Sequence, residues 1–229
     1  FDTANTLYFE PLTLECVLDV VAREAPVGVI VQFGGQTAIN LATPLKRAGI
    51  NIVCTDERDI DRAEDRELFL KLLNKLDIPT PKGGCARSSK EALNIASSIG
   101  YPVIARPSYV LGGRAMEIVY SDSELLSYLS NAIDTSSSHS ILIDKYIDGK
   151  EVEVDGICDG YDVVIPGIIE HIEKAGIHSG DSIGVYPPQT LSEHVKDTIL
   201  KYSIAIARSL NIKGLFNIQF VIDEEENVY

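Results

Sequence analysis

The stretch Arg106-Pro-Ser-Tyr-Val-Leu-Gly-Gly-Arg-Ala-Met-Glu-Ile-Val-Tyr120 sets a cation and a glycine pair between two runs of β-forming residues. The apolar run Tyr101-Pro-Val-Ile-Ala105 leads into Arg106, and Ile118-Val119-Tyr120 follows the glycines, so the segment reads as strand, turn, strand. Gly112 and Gly113 allow a close backbone approach to a ligand and can leave N–H groups pointing at an anion. The chemistry this suits is phosphate holding. A Gly-Lys-Ser/Thr turn opening a helix is absent, so any phosphate here is expected under a hairpin lid and not in a P-loop.

Four other features have chemical potential. Ile141-Leu-Ile-Asp-Lys-Tyr-Ile-Asp-Gly-Lys-Glu151 is a buried strand ending in a turn, where backbone can meet an adenine edge and Glu151 can take ribose hydroxyls. An ordinary surface turn explains the same residues. Glu151-Val-Glu-Val-Asp155 places three carboxylates on one strand face, to hold cations or a sugar hydroxyl, or simply to be solvated. His171-Ile-Glu-Lys-Ala-Gly-Ile-His-Ser-Gly-Asp-Ser182 is expected as a polar, flexible loop near a strand end, its histidines either functional or merely solvated. In Asn217-Ile-Gln-Phe220, Gln219 alternates with apolar neighbours. An amide inside a core strand needs a partner, which favours a role for it over a plain hydrogen bond to a loop.

These residues need a scaffold, and the chain supplies a readable one. Apolar residues Leu14, Val17, Leu18 and Val21 follow a helical period from Pro11 to Glu24. Val27-Gly-Val-Ile-Val-Gln-Phe33 and Asn51-Ile-Val-Cys54 read as strands, with a helix between them from Gly34-Gly35 to about Ala48. That order implies a small parallel, Rossmann-like sheet. One amphipathic helix is expected over Asp59–Leu76, with Arg62 and Arg66 on one face, and a hinge at Ile78-Pro-Thr-Pro81. Capping boxes at Ser88/Glu91, Ser121/Glu124 and Thr190/Glu193 announce helices. Strands fall near 102–106, 116–120, 141–145, 151–158, 162–170 and 214–222, so the fold class is α/β followed by α+β.

Composition narrows the partners. A net charge of −14 over 229 residues argues against a nucleic-acid backbone, although a few local cations suffice for a nucleotide. No apolar run approaches the ~20 residues that span a bilayer, and no leader peptide is legible at Phe1-Asp-Thr-Ala-Asn. Cys16, Cys54, Cys85 and Cys158 are widely spaced, with Cys54 and Cys158 expected as core thiols. The expected compartment is a reducing cytoplasm, without disulfides or zinc.

Together, Leu7-Tyr-Phe-Glu-Pro11, Val31-Gln-Phe-Gly-Gly-Gln-Thr37, Asp61-Arg-Ala-Glu-Asp-Arg66, the 106–120 string and Glu170-His-Ile-Glu-Lys-Ala-Gly-Ile-His-Ser-Gly-Asp-Ser182 resemble the carbamoyl phosphate synthetase large-subunit family. The likeness runs through essentially the whole chain, and Leu-Gly-Gly-Arg-Ala-Met-Glu at 111–117 points to the carboxy-terminal synthetase half. The resemblance implies a Rossmann-like pre-ATP-grasp domain over residues 1–60 and an ATP-grasp domain over 61–229, with a lid at about 80–145. It implies phosphorylation of carbamate by ATP, with Mg2+ or Mn2+ and K+, for arginine or pyrimidine synthesis. The implied partners are the rest of the large subunit and a glutaminase small subunit, in an oligomeric parent. On matching positions, Arg66 and Arg106 face the phosphates beneath Gly112 and Gly113, and Lys145 and Ile147 frame the adenine. Glu151 holds ribose or a nearby monovalent cation, Gly176, Ile177, His178 and Ser179 line the pocket, and Gln219 is a metal ligand. His171 falls at a potassium-associated position. The chain departs from the family at both ends. A Glu-x-Asn-Pro-Arg motif follows the position of Tyr229 in the family, and a first strand with a glycine-rich turn precedes that of Phe1. The expectation is a fragment truncated at both ends that does not turn over alone.

Overall fold

In the computed structural model, residues 3–107, 116–133, 140–176 and 181–229 are described. The backbone divides into two compact units: Phe1–Leu76 with Gly156–Ile165 and Ser203–Phe216, and Asp77–Asp155 with Pro166–Tyr202 and Asn217–Tyr229.

The first unit is mainly helical. Helix α1 (Leu14–Glu24) starts where the Thr13 side chain accepts the Cys16 N–H, and it ends at Ala25 in the left-handed region (φ 46°). The expected helix after Gly34 is two pieces, α2 (Gly35–Ile39) and α3 (Ala42–Arg47). Pro44 has no N–H to give the Asn40 carbonyl, so one continuous ladder cannot cross that point. The helix expected over 59–76 is also broken, into α4 (Glu57–Glu64) and α5 (Arg66–Lys75). Asp65 sits between them in extended conformation (ψ 114°), and its carboxylate accepts the Leu68 N–H at 2.9 Å. Arg62 and Arg66 therefore do not share one helical face. Arg62 instead holds Asp59 at 2.6 Å and the Ser209 carbonyl at 3.1 Å.

The two expected parallel strands shrink to a single bridge, Val29 with Ile52. Val31, Ala42, Leu45, Ile52 and Ile60 form a buried cluster around it. Val27 at 92% and Phe33 at 68% exposure lie outside that cluster, so the flanks of the segment gain nothing from straightening into a ladder. Cys54, expected in the core, is half-buried with φ 80°, whereas Cys158 is buried and all four cysteines are free.

The second unit begins with a four-stranded antiparallel sheet in the order β1 (Gly83–Ala86), β4 (Ile141–Lys145), β2 (Val103–Pro107), β3 (Glu117–Val119). Its register pairs Val103 with Val119 and Lys145, and Ala105 with Ile143. Side chains alternate, so Val103, Ala105, Val119, Ile141 and Ile143 share one face. That face packs on Ala92 and Ala96 of α6 (Ser89–Ile99) and on Leu125 and Leu129 of α7 (Asp122–Ile133). The Ser88 and Ser121 capping boxes form, with Glu91 and Glu124 each reaching back to a preceding amide. The other face carries Ile104, Arg106, Leu142 and Asp144.

A second four-stranded sheet runs β7 (Gly184–Val185), β6 (Val163–Lys174), β5 (Lys150–Asp159), β8 (Lys213–Ile222); the far ends of β5, β6 and β8 belong to the first unit. Helix α8 (Glu193–Ser209) starts at Ser192, whose hydroxyl accepts the Val195 N–H at 3.3 Å. Thr190, expected as its cap, is drawn off by a buried carboxylate. Glu170 accepts the Gln189 N–H at 2.8 Å, the Thr190 N–H at 2.9 Å, the Thr190 hydroxyl, and the Lys150 ammonium at 3.3 Å. Burial pushes the Glu170 carboxyl up, but these donors outweigh it and hold it below the usual range. Among the described residues no helix is long and apolar enough to cross a membrane.

Two tests follow from this packing. Ile143 is fully buried, so Ile143→Ala should lose about 2–5 kcal/mol in urea unfolding. A depressed folded pKa gives stability that is present above the ordinary glutamate value of about 4.3 and fades as pH falls through the folded value. The stability gap between the natural chain and Glu170→Gln should accordingly be largest near neutrality and shrink below about pH 4.

Candidate functional site

Arg106 stands on β2, on the sheet face opposite the helices. Its guanidinium lies 3.8 Å from the Asp144 carboxylate on β4, with side chains 45% and 13% exposed. Asp144 fits because its cross-strand neighbour is Gly83, where a Cβ would fall 2.0 Å from the carboxylate oxygen. The result is a half-exposed cation on the sheet face away from α6 and α7, held near a buried anion.

Lys145 ends β4, and its ammonium donates to the Gly100 carbonyl at 3.0 Å and the Tyr101 carbonyl at 2.9 Å, beyond the last turn of α6. Ile147 is half-buried in the connection to β5. That connection is gripped from β6: the Ala175 N–H donates to the Gly149 carbonyl at 3.0 Å, and Lys174 donates to both Asp148 oxygens at 2.8 and 3.0 Å. Gly149 has no room for a side chain, since a Cβ would lie 2.2 Å from the Ile222 carbonyl oxygen. Gly176, at φ 101°, sits where a Cβ would come within 3.6 Å of Ile118 and 3.7 Å of Tyr146. The second unit thus brings the 145–151 segment and the 175–176 corner together.

Glu151, Glu153 and Asp155 occupy one face of β5, while Val152 and Val154 are wholly buried on the other. Glu151 is buried, and the remaining two are tied together. The Asn217 amide donates to Glu153 at 2.7 Å and to Asp155 at 2.9 Å. The second Glu153 oxygen meets His171 Nε2 at 3.3 Å. A carboxylate only accepts, so Nε2 carries a proton; Nδ1 is buried without a partner among the described residues. His171 is therefore a buried residue of β6, not part of a polar loop.

Gln219 also departs from expectation. It is exposed on β8, on the same strand face as Asn217, so no desolvation cost marks it as functional. Its oxygen supplies one neutral ligand, and no group of three His, Cys, Asp or Glu among the described residues is arranged to hold a metal. These residues do not by themselves fit a divalent ion. Arg66 opens α5 in the first unit, half-buried. Gly112, Gly113, Ile177, His178 and Ser179 lie outside the described residues. Asn217, Asp144 and the Lys150–Glu170–Thr190 cluster went unread as site features. Only Asn217 had a visible signal, its period-two spacing from Gln219.

Three solved structures share the fold. Biotin carboxylase of Campylobacter jejuni superposes with a TM-score of 0.78 at 19% identity, covering 95% of this chain and 50% of that one. The biotin carboxylase domain of Hydrogenobacter thermophilus 2-oxoglutarate carboxylase, solved with MgADP, ADP and bicarbonate, gives 0.80 at 21%, covering 98% and 52%. D-alanyl-alanine synthetase A of Vibrio cholerae gives 0.70 at 16%, covering 86% and 62%. The chain spans about half the length of the carboxylases it matches. Residues 1–62 match the carbamoyl phosphate synthase preATP-grasp domain, and residues 65–229 match the ATP binding domain of the carbamoyl-phosphate synthase L chain. A pre-ATP-grasp domain followed by an ATP-grasp domain, the chain belongs to the family of the carbamoyl-phosphate synthase L chain ATP binding domain.

Proposed function

We propose that this chain is part of a carbamoyl phosphate synthetase large subunit, from the half in which ATP phosphorylates carbamate. The observation that carries this reading is the succession of two carbamoyl-phosphate synthase family matches along one chain. Leu-Gly-Gly-Arg-Ala-Met-Glu at 111–117 favours the carboxy-terminal half, and the 106–120 and 170–182 strings favour this family over other ATP-grasp ligases. Likeness to biotin carboxylases supports the fold and an ATP-dependent ligase class, but at about a fifth identity it does not select bicarbonate over carbamate.

Phosphoryl transfer asks a protein for positioning and charge neutralisation more than for covalent chemistry. In this reading Arg106 leaves Asp144 to meet phosphate, and Arg66 adds a second positive charge. The 145–151 segment takes the adenosine: Ile147 packs on the base, the backbone beside Lys145 meets its edge, and Glu151 accepts from ribose hydroxyls. The family resemblance adds Gly176, Ile177, His178 and Ser179 to the nucleotide pocket and Gly112 and Gly113 to the phosphate contacts. Gln219 would offer one oxygen to Mg2+ or Mn2+ bound chiefly by the phosphates, and such an ion would lower the charge that the arginines must balance. K+ is assigned near Glu151 and His171. Arginine or pyrimidine synthesis, the glutaminase partner and a cytoplasmic site belong to the same proposal.

The test is ATP formation from ADP and carbamoyl phosphate, with magnesium and potassium, in a chain extended about 150 residues past Tyr229 to include a further domain's length. ATP should form, and Arg106→Ala should cut the rate by about 100-fold or more, as loss of a charge-stabilising donor does elsewhere. A folded, nucleotide-binding extended chain that makes no ATP would leave the fold standing and remove the carbamate assignment.

A further inference from the structure

Glu170 has no part in the chemistry above, yet its buried carboxylate accepts four hydrogen bonds. All of its partners are donors: two backbone amides, a hydroxyl and an ammonium. Lys150 donates to the Thr190 hydroxyl as well, so the three side chains close a ring. Side chains alternate along both strands, which puts Lys150 and Glu170 on one face of the sheet and Glu151 and His171 on the other. The ring thus lies directly behind Glu151, one residue away along β5.

The same ring holds the return arm of the β6–β7 hairpin. Glu170 is paired with Val185 and His171 with Gly184. Ile172 donates to the Ile183 carbonyl at 3.0 Å, and the Ile183 N–H donates to Glu173 at 2.7 Å. β7 contributes only two residues to the sheet, too short a ladder to fix an arm unaided. The Glu170 carboxylate catches the chain again at Gln189 and Thr190, before α8 begins.

We propose that Glu170 is a positioning residue of the nucleotide site, acting from the opposite face of the sheet to fix Glu151 through Lys150. This inference rests on the reading of Glu151 as the acceptor for ribose hydroxyls. A glutamine at 170 places an NH2 group among donors, so the ring opens while the size of the side chain is kept. Glu151 then loses its fixed approach to the ribose, and the contact it loses first is the one that distinguishes a 2′-hydroxyl from hydrogen.

The experiment compares dissociation constants for ADP and 2′-deoxy-ADP by calorimetry, for the natural chain, Glu170→Gln, Lys150→Met and Thr190→Val. A merely structural role changes the fraction of competent protein and scales both affinities alike, so their ratio is unmoved. The natural chain should prefer ADP by about tenfold or more, the scale set by a hydrogen bond to a charged group. Glu170→Gln should narrow that preference at least threefold, and Lys150→Met should do the same. Thr190→Val keeps both backbone amides on Glu170 and serves if either of the others fails to fold. Preference unchanged in the folded variants overturns the positioning role while leaving nucleotide binding intact. A natural chain that binds both nucleotides equally removes the Glu151 assignment and this inference with it, and one that binds neither removes the nucleotide reading first.

Discussion

The register of β5 is the constraint on which the rest of the second sheet depends. Val152 and Val154 are fully buried and Cys158 nearly so, and the Gly156 position is taken up by the Phe216 ring, whose nearest atom would lie 2.2 Å from a Cβ. Burying each valine is worth about 1.5–3 kcal/mol, and the phenylalanine needs the glycine beneath it. A slip of one residue would take both valines off the packed face and turn the half-buried Glu153 and the exposed Asp155 inward, with several kcal/mol of desolvation for each charge. Apolar packing on one face therefore decides where every polar group on the other face stands.

A face with Glu151, Glu153 and Asp155 in sequence would repel itself if left bare. The structure spreads donors across it instead of relying on solvent. Asn217 bridges two carboxylates with one amide nitrogen, and His171 takes the remaining Glu153 oxygen. Behind the same strand, Lys150 and Thr190 close around Glu170. The first sheet solves a smaller version of the problem, with Gly83 making space for Asp144 and Arg106 countering its charge. In both sheets, glycine or a packed valine creates the position, and a hydrogen-bonding neighbour makes a charge tolerable there.

This division explains what could be read from the sequence. The strands around 102–106, 141–145, 151–158 and 214–222 were legible because alternation and β-branched runs are local. The Ser88 and Ser121 caps were legible for the same reason, whereas Thr190 was not: its competitor, Glu170, is 20 residues away in sequence. Pro44 was a visible breaker that the helical period masked, and Asp65, a cap for the following helix, was hidden inside a charged run. The strand at Val29 looked buried because its composition is apolar, but composition says nothing about how much neighbouring sheet exists to cover it. Gln219 failed in the opposite direction, since period two fixed its face without revealing whether that face is dry. His171 looked like loop because its neighbours are polar, while the ladder that buries it is formed with residues 13 and 14 positions further on.

The choice of substrate lies a level below the fold. Carboxylases and a D-alanyl-alanine synthetase superpose on this chain with TM-scores of 0.70 to 0.80 at 16–21% identity, so the backbone fold alone does not select a substrate. Carbamate and bicarbonate are nearly isosteric anions that differ in NH2 against OH. Shape and net charge cannot separate them; only a hydrogen-bond pattern aimed at that one group can, because it leaves buried polar atoms unpaired with the wrong substrate. In the proposed reading, the half-exposed Arg106, the gripped 145–151 corner and the braced Glu170 carboxylate of the second unit would all serve the nucleotide end. None of these contacts selects an acceptor, so the proposal of carbamate rests on the family match over residues 1–62 and 65–229 and not on the geometry.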